Sequence, residues 1–71
     1  MIKHEIKLIF DGLLKDVRKR KIHLSLKNGR FYNGIVLNYD DEESLSFLDN
    51  KLGYIIILYS MIINIEPFTG R

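Results

Sequence analysis

The chain has 71 residues and a mass of 8.4 kDa, enough for a single small domain that hides only ~60% of the surface its unfolded form exposes. It contains no cysteine, which excludes disulfides and thiolate metal sites and leaves association with further chains as the way to stabilise so small a core. At 46% hydrophobic and 28% charged the composition is globular rather than disordered, and the longest apolar run, residues 54–59, falls far short of the ~18 residues that cross a bilayer.

The net charge of +2 conceals a segregation. Residues 15–30 hold seven basic side chains against one acid, a net of +6, whereas residues 40–51 hold five acids against one lysine, a net of −4. A basic surface attracts phosphate and an acidic one repels it. The N-terminal residues carry Lys3, His4, Glu5 and Lys7 and lack a signal-peptide apolar core, so a cytoplasmic location with no membrane contact is expected.

Residues 1–20 read as an amphipathic helix. Ile2, Ile6, Ile9, Leu13 and Val17 recur at spacings of three and four, Phe10 and Leu14 widen the stripe, and Lys3, Lys7, Asp11, Lys15 and Arg18 fall opposite. Gly12 weakens the interior by about 1 kcal/mol. The run Arg18-Lys19-Arg20-Lys21 suits a helix C-terminus, where cations meet the negative end of the dipole.

From residue 21 the period becomes two. Ile22, Leu24 and Leu26 alternate with His23, Ser25 and Lys27, a half-buried strand. Asn28-Gly29 predicts a two-residue hairpin turn of type I′, whose central positions need positive φ. The returning strand runs from residue 30 to about 39, with Gly34 marking a bend or bulge. Residues 38–44 are a loop, 45–48 a third strand, 49–53 a turn, 54–59 a fourth strand apolar on both faces, and 62–66 a fifth that Pro67 ends. A helix and five short antiparallel strands, one of them kinked, predict a mostly β fold: a strongly bent five-stranded sheet forming a small open barrel. The domain boundaries are 1–71 for the whole, with the helix at 1–20, the barrel at 21–67 and a tail at 68–71.

This order of pieces resembles the Sm-like family (Sm, Lsm and bacterial Hfq proteins). Residues 22–40 resemble its first motif through apolar alternation, the turn glycine Gly29, the bend glycine Gly34 and the pair Tyr39-Asp40. The second motif is matched by residues 53–59 continuing through Ile65, and segments 14–20 and 59–67 are similar to Hfq in particular. The resemblance covers about residues 5 to 67. It implies a ring of six or seven identical subunits in which the fourth strand of one pairs with the fifth of the next. Tyr54, Ile55, Ile56, Ile57, Leu58, Ile62, Ile63 and Ile65 would form that interface. An apolar edge strand with no Lys or Pro to guard it also needs covering on physical grounds.

The family's RNA-reading positions are matched by this chain only at Asp40. Ser44 stands where a uracil-reading Asn is usual, Glu42 where a stacking residue is usual, and Tyr59-Ser60 replaces the Arg-Gly of the second motif and the Lys-His of Hfq. Tyr59 offers a stacking surface, worth ~1–3 kcal/mol per base. In the ring the loop Asp40-Asp41-Glu42-Glu43 would face the pore and repel RNA there. Two basic groups stand elsewhere: Lys15, Arg18, Lys19, Arg20 and Lys21 on the helix side, and Lys27 with Arg30 at the first hairpin. Helix C-terminal charge and solubility are the default account of the first group, and ordinary turn chemistry that of the second.

Phe31 and Tyr39 are expected to pack in the barrel. The acidic loop lacks calcium-loop spacing, and neither His4 nor His23 has a carboxylate placed by sequence to orient it. No nucleophile triad, phosphate loop or H-E-x-x-H motif occurs. The expectation is a non-enzymatic ring without cofactor or metal that binds RNA weakly or in an unusual mode. The alternatives are the same ring as a protein-interaction scaffold, or a single barrel whose apolar edge another protein covers.

Overall fold

The computed structural model describes residues 1–14 and 21–68; residues 15–20 and 69–71 lie outside it. One helix, α1 (Lys3–Leu14), precedes five strands, β1 (Ile22–Leu26), β2 (Phe31–Asn38), β3 (Ser44–Asp49), β4 (Gly53–Leu58) and β5 (Ile62–Pro67), with a 3-10 turn at Tyr59–Met61 before the last. The strands form one antiparallel sheet in the order β4-β3-β2-β1-β5. The sheet is not closed: β4 and β5 are its two edges. The fold is mostly β, as the alternation predicts, and no described helix is long and apolar enough to cross a membrane.

Helix α1 starts where Glu5 reaches back to accept the backbone N–H of Ile2 at 3.1 Å. This contact satisfies one of the donors a helix N-terminus leaves open and puts a negative charge at the positive end of the dipole. Among the described side chains of the helix, Ile6 and Phe10 are fully buried, with Ile9 and Leu13 packed at the margin. Ile2 is 64% exposed, so the apolar stripe is narrower than its spacing suggests. The final turns expected for the helix, Val17 and Arg18 to Arg20 included, fall outside the described residues.

Strand β1 keeps its predicted alternation, with Ile22, Leu24 and Leu26 all buried. The hairpin that follows differs from the type I′ expectation. The turn bond runs from Gly29 N to Leu26 O (3.1 Å), and Leu26 N donates to Arg30 O (2.9 Å). Lys27 and Asn28 therefore occupy the central positions, and Gly29 follows with φ +84°. Asn28 caps the loop by accepting the N–H of Arg30 at 3.0 Å. Asn-Gly fits this three-residue loop as well as the two-residue one, because the glycine supplies positive φ in both.

Gly34 is where the sheet turns. It pairs with Ile22 of β1 on one side and Asp49 of β3 on the other, so β2 passes from one neighbour to the next at this residue. A Cβ built on it would overlap the carbonyl oxygen of Leu48 and stand 2.9 Å from that carbonyl's carbon. Two single-residue bulges add to the curvature: Leu37 between Val36 and Asn38, and Ile63, which lies beside the register shift of β5 against Ser25 and Leu26.

The core is one cluster joining Ile6 and Phe10 of the helix to Ile22, Leu24, Leu45, Phe47, Ile57, Tyr59 and Ile62. Three residues expected at a subunit interface, Ile57, Ile62 and Ile65, are in this cluster and are 9% exposed or less. Their side chains serve the chain's own interior. Ile63 is the extra residue of the β5 bulge, so Ile62 and Ile65 both face inward although they are three apart.

The two interior glycines predict opposite outcomes. Gly12 has open space around its Cα, so Gly12→Ala should raise stability by ~0.5–1 kcal/mol through helix propensity. Gly34→Ala should lower it by about 1–3 kcal/mol or more, since main chain must move to admit the methyl. Urea denaturation of both variants measures the two effects, and equal midpoints would contradict the assigned role of Gly34.

Candidate functional site

The described structure brings the acidic loop onto the helix. Lys7 pairs with Asp40 at 3.2 Å and Lys3 with Glu42 at 3.1 Å. Tyr39 donates its hydroxyl to Asp11 at 2.7 Å, lays its ring against Phe10 with centroids 5.2 Å apart, and lies 5.5 Å from the Lys7 ammonium. Lys3, Lys7 and Asp11, four residues apart, therefore line the side of α1 that meets residues 39–42. The polar stripe of the helix is a docking face rather than a purely solvated one. Exposed pairs of this kind are worth ~0–1 kcal/mol each; their effect here is to fix which way the loop points.

Tyr59 holds the loop from below. Its N–H donates to Glu43 O at 2.9 Å, and its hydroxyl reaches Asp41 O at 2.7 Å and Tyr39 O at 3.0 Å. The backbone demand of the loop draws Tyr59 out of β4 and into the 3-10 turn. At 3% exposure its ring has no free face in this chain, which corrects the expectation of a stacking surface at this position. Burial pushes the Tyr59 phenol above its ordinary value, and the charges of Asp41, Asp40 and Glu42 add to the rise. The Met1 nitrogen donates to Tyr59 O and Ile62 O at 3.1 and 3.0 Å, beside an open groove of about 440 Å³ that Lys3, Glu42 and Ser60 help to line.

The remaining candidates are dispersed. Ser44 is half-buried at the start of β3, and Asp40 is engaged by Lys7. Lys21 and the pair Lys27 and Arg30 are exposed, but they lie at opposite ends of β1 and do not form one patch. Lys15, Arg18, Lys19 and Arg20 are outside the described residues. His4 is exposed; His23 is half-buried between the Asn33 side chain and the Phe31 ring, 5.3 Å away. Phe31 is 59% exposed on the outer face opposite Ser25, which corrects its expected place in the barrel. Tyr39 is half-buried.

Of the expected interface residues, Tyr54, Ile56, Leu58 and Ile63 are each at least half exposed, and Ile55 is half-buried against the core. The seam left by the open sheet is a groove of about 470 Å³ lined by Leu26, Asn28, Tyr32, Ile55, Ile57 and Met61 among others. Asp49, read as a turn residue, closes β3 instead. Its carboxylate accepts the N–H groups of Leu52, Lys51 and Asn33 at 2.8, 2.9 and 3.3 Å, which shapes the turn to β4.

Comparison with known proteins adds no relative: no family model, no curated protein and no solved structure matches the chain. The site is defined by its own geometry, a mostly β domain with two unpaired sheet edges and an acidic loop strapped to the helix.

The strap titrates. The hydrogen bond to Asp11, then burial, then the charges of Asp11 and Asp40, push the Tyr39 phenol up to about 12. The folded-state value exceeds the unfolded one of about 10, so the contribution of Tyr39 is intact below pH 10 and is lost as pH rises toward 12. Thermal denaturation should show stability falling across this window in the native chain. In Tyr39→Phe the fall should be smaller, with a constant loss of about 1 kcal/mol at pH 7. An identical alkaline fall in the two proteins would contradict the assignment.

Proposed function

We propose that the chain is a non-enzymatic, Sm-like ring protein built from six or seven copies of itself, and that the ring binds RNA through the basic segment at residues 15–21. The observation that carries this reading is the open sheet. Both outer strands lack a neighbour along one edge, and they present Ile56 and Leu58 on β4 and Ile63 on β5. β4 has no charged residue or proline to guard it, and an apolar edge of that kind is aggregation-prone unless another strand covers it. Pairing β4 of one copy with β5 of the next covers both with one repeated contact, and a repeated head-to-tail contact closes into a ring when its rotation allows.

For RNA, the support is the charge distribution. A weak phosphate-binding segment repeated around a ring gains avidity. The burial of Tyr59 and the carboxylates at 40–43 argue for an RNA contact away from the acidic loop, at the basic segment of residues 15–21. The same two observations favour the second reading, a ring that serves as a protein scaffold without nucleic acid.

Light scattering at micromolar concentration should give six or seven times the 8.4 kDa chain mass, or a whole-number multiple of that ring mass, and Ile56→Lys with Ile63→Lys should break the particle down. A wild-type mass of one chain would overturn the assembly. Anisotropy titrations with oligo-U, oligo-A and a structured RNA should show binding that weakens steeply with salt. Lys19→Glu with Arg20→Glu should reduce the affinity at least tenfold, while Ser44→Ala leaves it unchanged. Flat titrations at low salt for all three RNAs would leave the scaffold.

A further inference from the structure

The outer face of β2, β3 and β4 is apolar well beyond what pairing at the sheet edges can cover. The register places Ile35, Leu48 and Tyr54 in one row across the three strands, Asn38, Ser46 and Ile56 in the next, and Ser44 with Leu58 in a third. The opposite face carries Val36, Phe47 and Ile57 of the core. On the outer face Leu37, Leu48, Tyr54, Ile56 and Leu58 are 51, 42, 62, 55 and 50% exposed. Together they amount to roughly 500 Å² of largely apolar surface, near the upper end of the ~300–600 Å² reached by the largest patch on a typical monomer. Leu48 lies one strand in from the β4 edge and Leu37 two strands in. A strand added at that edge would leave both wet.

We propose that this face is a second interface, on which another copy of the same chain packs face to face, related by a two-fold axis running across the strands. Three observations select a second copy. First, none of the eight outward positions in the three rows is charged, so the face meets itself without opposing like charges, as an isologous contact requires. Second, with strands of six to eight residues it is a sheet face suited to the ~10 Å aligned packing of one sheet on another.

Third, its two ends carry opposite charge. The loop end has Asp41 and Glu43, which form no ion pair among the described residues, and the turn end has the exposed Lys51. An axis across the strands sets Lys51 of each copy over the acidic end of its partner, whereas an axis along them would set acid on acid. The acidic end also disfavours an anionic lipid surface. At roughly 500 Å² per partner the contact would bury about 1,000 Å² in all, the lower end of specific interfaces. It is independent of strand pairing at the edges, so an assembly formed through those edges would associate in pairs.

The test compares masses by light scattering and native mass spectrometry at the same concentration. Leu48→Lys, and separately Leu37→Ser with Leu48→Ser, should halve the wild-type mass while far-UV circular dichroism stays unchanged. Lys51→Glu should also halve it, and adding Glu43→Lys should restore it. Equal masses for the wild type and both leucine variants overturn the proposal, including the case in which the wild type instead floats with phosphatidylcholine vesicles. If that common mass is a six- or seven-chain particle, the ring stands without this interface; if it is one chain, both fall. A wild-type particle of two chains that Leu48→Lys splits supports this interface and contradicts the ring. Failure of the Lys51/Glu43 exchange to restore the mass overturns the two-fold arrangement.

Discussion

The carbonyl of Leu48 presses against the Cα of Gly34, and the shape of the whole domain follows from that contact. With no side chain at this point, β2 can leave β1 and take up β3 within one residue. The first half of the strand is held by Ile22 to Ser25, the second by Phe47 and its neighbours. The bend carries β3 and β4 round toward the side from which Ile6 and Phe10 descend, so that the described residues enclose one continuous core. The same bend stops short of closure. β4 and β5 do not meet, and they are left as two edges that carry exposed isoleucines.

Charge organises what the bend leaves at the surface. The four acids after β2 would repel one another and extend into solvent if left alone. Here two of them are met by lysines from the helix, and the backbone around them is gathered by one tyrosine hydroxyl. Tyr59 sits in the core and still reaches two carbonyls of the loop. The acidic loop, the helix and the start of β5 are in this way one mechanical unit. The loop is thereby held in place to act on whatever approaches it.

Much of the fold was legible in the residue pattern. Ile22, Leu24 and Leu26 gave the face of β1, Gly34 the bend, and Pro67 the end of the last strand, because each acts through local geometry. Other features depend on a single inserted residue or on contacts distant in sequence. A period of two puts Ile63 and Ile65 on one face; the bulge at Ile63 separates them, and no local signal announces it. The fate of Tyr59 turns on carbonyls 18 and 20 positions away. Residue type alone reads it as an exposed aromatic. The helix strap had a trace in the sequence, the four-residue spacing of Lys3, Lys7 and Asp11 opposite a run of acids. Amphipathic reasoning assigns such a stripe to solvent by default. The apolar outer face was hidden similarly, since the five consecutive apolar residues of β4, Tyr54 to Leu58, reveal their two destinations only once Ser44, Ser46 and Leu48 are in register with them.

The central claim is that this sheet is unfinished in one chain and completed by others. Amide hydrogen exchange reads it at single-residue level, because every second N–H of an edge strand points away from its own sheet. In a completed assembly the amides of β4 and β5 should exchange as slowly as those of β1 at the centre. If alternate amides along both outer strands instead exchange at the rate of free peptide while β1 stays protected, the edges are bare in solution and the account is wrong.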